Sequence, residues 1–500
     1  MAIDLSDFVL HEIRDDGEIA LYRGLRKHDG RPVFVATTSS PRPSDRARAW
    51  LRRSYALRST IDPAISLRVL ELDDTPHQAS LVLEDPGGDP LSTVLRRGRL
   101  ATGPFLSIAI ELAAAVARFH ASGLVHGAIR SANVLVDRDR GDRVRLDGIG
   151  GALSMGQTLA AGDDATPHTA PEQIGSGLPI DARTDLYALG ATLYEMLTGD
   201  LPFRTRDVVR LAWCHLAAAP EPPRDRVGTI PSTLSEIVLA LLAKHPDDRY
   251  QTASGVEADL RRCRAEWEAQ RKIPPFALGT RDVPSHWVAP TRLRGRERAL
   301  ASLRVALDHA VDLEAPALAL ISGDRGTGRS SLARAVAALL PVEGRAAIAP
   351  AVDVRGGRPG VIVVDDLELA PPETIEALAR ILTDAAVGPI VVVATHRRAA
   401  IESPATRLRD LAERGGYVIE IDLGPLSLDD TVGIAADALR CGREAASELG
   451  VLVHGRAGGH PRSTVELLGS LVARGLVTFD PTGPRWTWDR ARIAQELRIT

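Results

Sequence analysis

Lysine is nearly missing from this chain. Of its 61 basic residues only Lys27, Lys244 and Lys272 are lysine, and the rest are arginine. An arginine found where chemistry usually asks for lysine therefore reflects, in part, a drift of the whole chain. Cysteine is equally scarce: Cys214, Cys263 and Cys441 are scattered and form no C-x-x-C pair. That argues against a disulfide framework and a zinc site, and favours a reducing compartment. Charge of one sign is also lacking, with a net charge of −4 and a pI near 6.4, so nothing pulls the chain toward nucleic acid or membranes. The longest apolar runs, such as "GVIVV" and "PIVVVA", are strand-sized and fall well short of the ~18 residues of a membrane span. The start, "MAIDLSDFVLHEIRDD", is too acidic for a signal peptide. The expectation is a soluble, cytoplasmic protein with no membrane and no nucleic-acid partner.

Five hundred residues suffice for two to four domains. Up to about residue 100, β-type runs ("ALYRGL", "RPVFVAT", "ISLRVLEL", "ASLVLED") surround one helical segment, "DRARAWLRRSYALRS". From 104 to 265 the periodicity is mostly helical. "RKIPPFALGTRDVPSHWVAP" then reads as a Pro-rich linker, assigned to 266–291. Beyond it strand and helix alternate, which predicts a parallel sheet flanked by helices over 292–480. Residues 481–500 read as the start of a winged-helix-like segment or a tail. The fold class expected is multidomain, α+β followed by α/β.

The stretch "HGAIRSANVL" has the frame of a kinase catalytic loop, H-R-D-L-x-x-x-N, with His126 and Asn133 seven apart. In order around it stand "LVLEDPGGDPLSTVLRRGRL", "TPHTAPEQ", "DARTDLYALGATLYEMLTGDLPF" and "HPDDRYQTA". Residues 8–265 thus resemble bacterial serine/threonine protein kinases, most closely those fused to a STAND-type ATPase. The resemblance implies a bilobal fold in which Glu172 pairs with a late arginine, Arg249. It also implies that Asp185 and Gly190 brace the catalytic loop.

Phosphoryl transfer needs a lysine on the phosphates, carboxylate-held Mg²⁺ and a base near the nucleophile. By the same resemblance those positions hold Ala36 for the lysine, Ser54 for its helix partner, and Ala128 for the base. Gly148 falls at the metal aspartate, although a one-residue slip places Asp147 there. Asn133 is retained, Arg130 replaces the loop lysine, and Asp15 and Asp16 beside Gly17 repel phosphate in what remains of the Gly-rich loop. The expectation is a pseudokinase. Two alternatives stay open: an active atypical kinase using Asp147, and an interaction scaffold that binds no nucleotide.

In the second half, "LALISGDRGTGRSSLA" sets Gly323, Gly326 and Gly328 between a predicted strand and helix, followed by Arg329 and Ser330. This is the context a P-loop requires, with glycine N–H groups converging on phosphate. Arg329 keeps the charge of the usual lysine but not its compact shape. "GVIVVDDLELA" ends a strand in Asp365 and Asp366, "VVVATHR" carries Thr395 and Arg397, and "GRAGGHPRS" carries Pro461. Together with "LRGRERAL" these resemble STAND/AAA-like P-loop ATPases. The resemblance implies ATP with Mg²⁺ held by Ser330 and, through water, Asp365. It places Asp366 by the attacking water, Thr395 and Arg397 near the γ-phosphate, and Pro461 near the adenine. Implied partners are signalling proteins, with oligomerisation through the ATPase domain left open. His120, His126 and His215 lack metal spacing and read as packing residues. Leu95–Arg99 reads as a solvated helix end.

Overall fold

The computed structural model describes residues 5–499, except 41, 76, 140, 158–164, 175–177, 337–344, 349–359, 385–386, 399–403 and 414–416. The chain divides into two units, Met1–Asp282 and Val283–Thr500.

The first unit opens with β1 (Phe8–Asp15), β2 (Ile19–Arg26) and β3 (Pro32–Thr38), then α1 (Asp45–Ala56), β4 (Val69–Asp74) and β5 (Ala79–Glu84). The strands pair antiparallel in the order β1-β2-β3-β5-β4. Central β3 is buried on both faces. Phe34 and Ala36 join the main core, while Val33 and Val35 meet Val82 on the other side. Ser44 caps α1, its hydroxyl accepting from the Ala47 N–H.

The rest of the unit is helical: α2 (Thr102–His120), α3 (Ala182–Thr198), α4 (Val208–Leu216), α5 (Ser232–Leu241) and α6 (Ala253–Gln270), with the short β6 (Val134–Asp137) and β7 (Arg143–Leu146) carrying the site. Among the described residues one helix, α2, is long and apolar enough to cross a membrane by length and composition, which short apolar runs had not suggested. Isolated Glu111 and Arg118 break its runs yet leave its mean hydropathy at 1.3. Ten of its side chains, from Phe105 to Phe119, are buried in the main core. α3 begins on a capping box, Asp181 with Thr184, and ends on Gly199 in the left-handed conformation that only glycine adopts freely.

The segment read as a linker differs from expectation. Helix α6 runs on to Gln270, and Ile273 is buried in the core of the first unit. Asp282 accepts from the backbone N–H groups of Gln251 (2.7 Å) and Thr252 (2.8 Å) at the start of α6. Val283 and Trp287 pack instead in the second unit. Proline-rich composition marks an absence of helix and strand here. It does not mark an absence of packing.

The second unit holds α7 (Glu297–Asp312), β8 (Ala317–Gly323), α8 (Arg329–Ala335), β9 (Arg345–Ile348), β10 (Gly360–Val364), α9 (Pro372–Thr383), β11 (Ile390–His396) and β12 (Tyr417–Leu423). The strands are all parallel, in the order β9-β10-β11-β8-β12. The strand runs are continuously apolar because two separate cores cover the two faces. Next come α10 (Leu428–Leu439), α11 (Arg443–Ala457), α12 (Pro461–Ala473), the hairpin β13 (Val477–Asp480) and β14 (Arg485–Trp488), and α13 (Arg490–Ile499) around a third core. The segment 481–500, expected to start a winged-helix-like module or to be a tail, holds the second strand of the hairpin, β14, and α13.

Candidate functional site

In the first unit the catalytic-loop frame lies on β6 and the turn before it. Asp185, fully buried, accepts from the N–H groups of His126 (2.7 Å) and Gly127 (2.8 Å) and bonds His120 Nε2 at 2.8 Å. Burial alone would raise its carboxyl. These bonds and the neighbouring imidazoles outweigh that and hold it below the usual range. Glu172 is treated the same way: burial opposes its charge, and the Arg249 guanidinium more than compensates. The pair is bidentate at 2.8 and 2.9 Å, with Thr184 Oγ1 donating to the same carboxylate. These residues shape the loop and touch no reacting group.

The positions that the resemblance assigns to the phosphate-binding lysine and its helix partner, Ala36 and Ser54, carry no charge. Ala36 and Ser54 are both buried, and the Ser54 hydroxyl turns back to the Trp50 carbonyl (3.1 Å). That turn of α1 lies directly on the Gly148–Gly151 segment. A Cβ on Gly150 would come 2.3 Å from the Trp50 carbonyl oxygen, so only glycine fits this approach. Asp15 and Asp16 do not face a phosphate. They close the β1–β2 turn, Asp15 accepting from Gly17 N–H and Ser39 Oγ, Asp16 from Glu18 and Ile19 N–H.

The residue that organises this cleft is one the sequence did not single out, Arg14 on β1. Its Nη1 donates to the Ala132 carbonyl (2.7 Å) and to Asn133 Oδ1 (2.6 Å), and its Nη2 to Asp147 Oδ2 (2.9 Å). Asn133 is held for this role by its own Nδ2–H bond to the Ala128 carbonyl (2.8 Å). Both positions weighed for the metal carboxylate lie against Asn133: the Asp147 N–H donates to the Asn133 carbonyl at 2.8 Å, and a Cβ on Gly148 (φ +89°) would come 2.9 Å from Asn133 Nδ2. Asn133 Oδ1 and one of the two Asp147 carboxylate oxygens are thus held by the Arg14 guanidinium; a Mg²⁺ at these donors would have to displace it from them. Arg130, its Nε buried without a hydrogen-bond partner among the described residues, stands close by. Burial and then the Arg14 charge lower its pKa.

In the second unit, β11 lies between β8 and β10, so Thr395 stands between the glycine loop and the acid-ended strand. Thr395 Oγ1 donates to Asp365 Oδ1 (2.6 Å) and accepts from the Asp366 N–H (2.8 Å). Gly326 and Gly328 hold φ of +88° and +91° as the loop turns into α8. Arg329 is 8% exposed, and its Nη2 meets Asp366 Oδ1 at 3.2 Å. Arg334 lies 3.7 Å from Asp365. Arg296, from the segment before α7, braces the loop through the Thr327 (3.0 Å) and Gly424 (2.8 Å) carbonyls. Pro461 opens α12, whose Arg462 N–H donates to the Gly326 carbonyl at 3.3 Å. Arg397 points elsewhere, to Glu368 (3.3 Å); its neighbour Arg398 pairs with Asp422 (2.8 Å) and approaches Asp324 of the loop (3.8 Å). Both arginines lie just past the end of β11 at His396, where the strand no longer sets their direction. The Ser330 side chain is half-buried at the start of α8.

A five-stranded antiparallel sheet, one helix against it, a helical lobe below and a loop braced by Asp185 define the first unit as a two-lobed protein-kinase-type domain. Residues 21–260 match the protein kinase domain family. The chain is 31% identical over 362 residues to serine/threonine-protein kinase PknB of Mycolicibacterium smegmatis, covering 70% of this chain and 55% of that protein. It is 34% identical over 190 residues to a probable serine/threonine-protein kinase of Corynebacterium efficiens, 36% of this chain and 28% of that protein. With PknB of Mycobacterium tuberculosis it shares 30% over 253 residues, 49% and 40% respectively. The first unit is accordingly a protein kinase domain of the bacterial serine/threonine type. The chain spans about half, or less, of the length of these relatives.

Proposed function

We propose that this domain is a regulatory module that no longer transfers phosphate, in one cytoplasmic signalling chain with a P-loop unit that responds to nucleotide. The observation that carries the reading is Arg14. A transferring kinase needs Asn133 and Asp147 to hold Mg²⁺ against the phosphates. Here their oxygens close on a fixed internal cation, while Ala128 offers no base and Ala36 no phosphate-binding charge. In the second unit, Ser330 and Asp365 supply oxygen donors of the kind Mg²⁺ takes, and Arg329 supplies charge for a phosphate chain. With ion and nucleotide bound there, Mg²⁺ would neutralise phosphate charge. ATP and ADP would favour different arrangements through different contacts, and a protein partner would read the difference.

A second reading has its own support. The relatives are named kinases, and Asp147 and Asn133 do converge on one point. In that reading Arg14 withdraws and Asp147 takes the metal. Incubating the full chain with radiolabelled ATP, Mg²⁺ and a generic acceptor protein separates the two. We expect no label above the Asp147→Ala background. Label that appears in the wild type and vanishes in Asp147→Ala would establish the kinase instead.

A further inference from the structure

The ion pair between Arg329 and Asp366 carries a consequence for how the P-loop unit takes its ligand. Arg329 is nine-tenths buried, yet it is poorly served. One Nη2 bond runs to Asp366 at 3.2 Å, and Nη1 is buried without any acceptor among the described residues. A guanidinium offers five donors in a fixed fork, and leaving one buried and unmatched is costly. Its present partner is a weak one, since the Asp366 side chain is 40% exposed. Asp366 also sits at φ +48°, a left-handed backbone that non-glycine residues rarely hold. Its N–H bond to Thr395 fixes it there. Asp365, by contrast, is tied through its own carboxylate to Thr395 and does not depend on Arg329.

We infer that Asp366 is an internal competitor for Arg329: it occupies the guanidinium that the phosphate chain of a nucleoside di- or triphosphate must take. This rests on the nucleotide-binding reading of the P-loop unit and adds its regulation. A phosphate presents several oxygens to the fork at once and satisfies both Nη groups. Binding therefore moves Arg329 off Asp366 and frees a carboxylate at the end of β10. The exchange is from one partner to another, and no divalent ion is needed for it.

The test measures ADP binding to the full chain by titration calorimetry, in EDTA and in Mg²⁺, for wild type, Asp366→Asn and Arg329→Ala. Asparagine matches aspartate in shape and tolerates the left-handed backbone, and circular dichroism checks that the variant is folded. Removing the competitor should tighten ADP about fivefold, the scale of one half-exposed ion pair. The gain should persist in EDTA, and Arg329→Ala should bind at least tenfold more weakly than wild type. If wild type binds ADP and Asp366→Asn binds equally or more weakly, the competitor role is wrong while the P-loop reading stands. If neither wild type nor Asp366→Asn binds ADP, both fall together.

Discussion

Arg14 shows at the scale of one side chain how the cleft of the kinase-type unit is ordered. Three acceptors from the opposite lobe converge on its fork, and two of them, on Asn133 and Asp147, belong to residues that are 2% and 4% exposed. Removing the cation leaves an unpaired buried carboxylate, which costs far more than the pair itself contributes. Arg14→Ala should therefore lower the stability of the first unit by about 2–3 kcal/mol in urea unfolding. Arg14→Lys should recover little of it, because one ammonium cannot reach three separated acceptors. Full recovery by lysine would sink the argument from fork geometry. His126 offers a second residue-level test. Its ring is fully buried edge-on to Phe119, and neither nitrogen has a partner among the described residues. Burial lowers its pKa despite the carboxylates of Asp185 and Asp147, with His120 acting in the same direction as burial. Below about pH 6.5 the unfolded chain takes up a proton that the folded ring refuses, so stability falls with falling pH. His126→Phe should remove that contribution and flatten the fall of stability with falling pH, read from urea midpoints across the acid range. His215, pushed down to about 3 chiefly by its own burial, supplies a separate slope that the variant leaves in place. An unchanged profile would mean that His126 is protonated in the fold.

Among the elements, what the sequence made legible follows from what periodicity encodes. The β-runs before residue 85, the helix carrying Trp50 and Ser54, and the alternation after 316 are all readable because each shows a local burial rhythm. That Ala36, Ser54 and Ala128 carry no charge is legible too, because a missing charge is a property of one position. The role of Arg14 is not. A strand's period of two says which face a residue takes, not which loop from the other lobe arrives there. A related limit applies to Arg397, placed by motif near the phosphates: it lies past the end of β11, where periodicity says nothing, and it meets Glu368. The same limit covers the Pro-rich stretch. Composition denied it regular structure, yet Asp282 accepts two backbone N–H bonds at the start of α6, and Thr252 Oγ1 donates to it at 2.8 Å. A first unit ended at residue 265 should therefore be less stable than one ended at 282. Asp282→Ala in the full chain should cost about 1–2 kcal/mol, since three donors lose their acceptor. Equal urea midpoints for the two truncations would show that the segment is a spacer after all.

For the whole molecule the two arginine-occupied sites make opposite predictions about ligands. In the kinase-type unit Arg14 has three good partners and no reason to leave. In the second unit Arg329 has one long bond and a nitrogen without an acceptor among the described residues. A ligand that binds only the native form raises the unfolding temperature of the unit that holds it. Each transition of the full chain can be assigned by substitution, one moving in Arg14→Ala and the other in a destabilising change of the parallel sheet such as Val393→Ala. If the second unit binds nucleotide as proposed, adding ADP at one hundred times its dissociation constant should stabilise that unit's transition by about 2.7 kcal/mol. The Arg14-marked transition should stay in place, and Arg329→Ala should abolish the response. If ADP instead raises the Arg14-marked transition, nucleotide enters the kinase-type cleft, Arg14 yields to it, and the site read as emptied of its charges is in use.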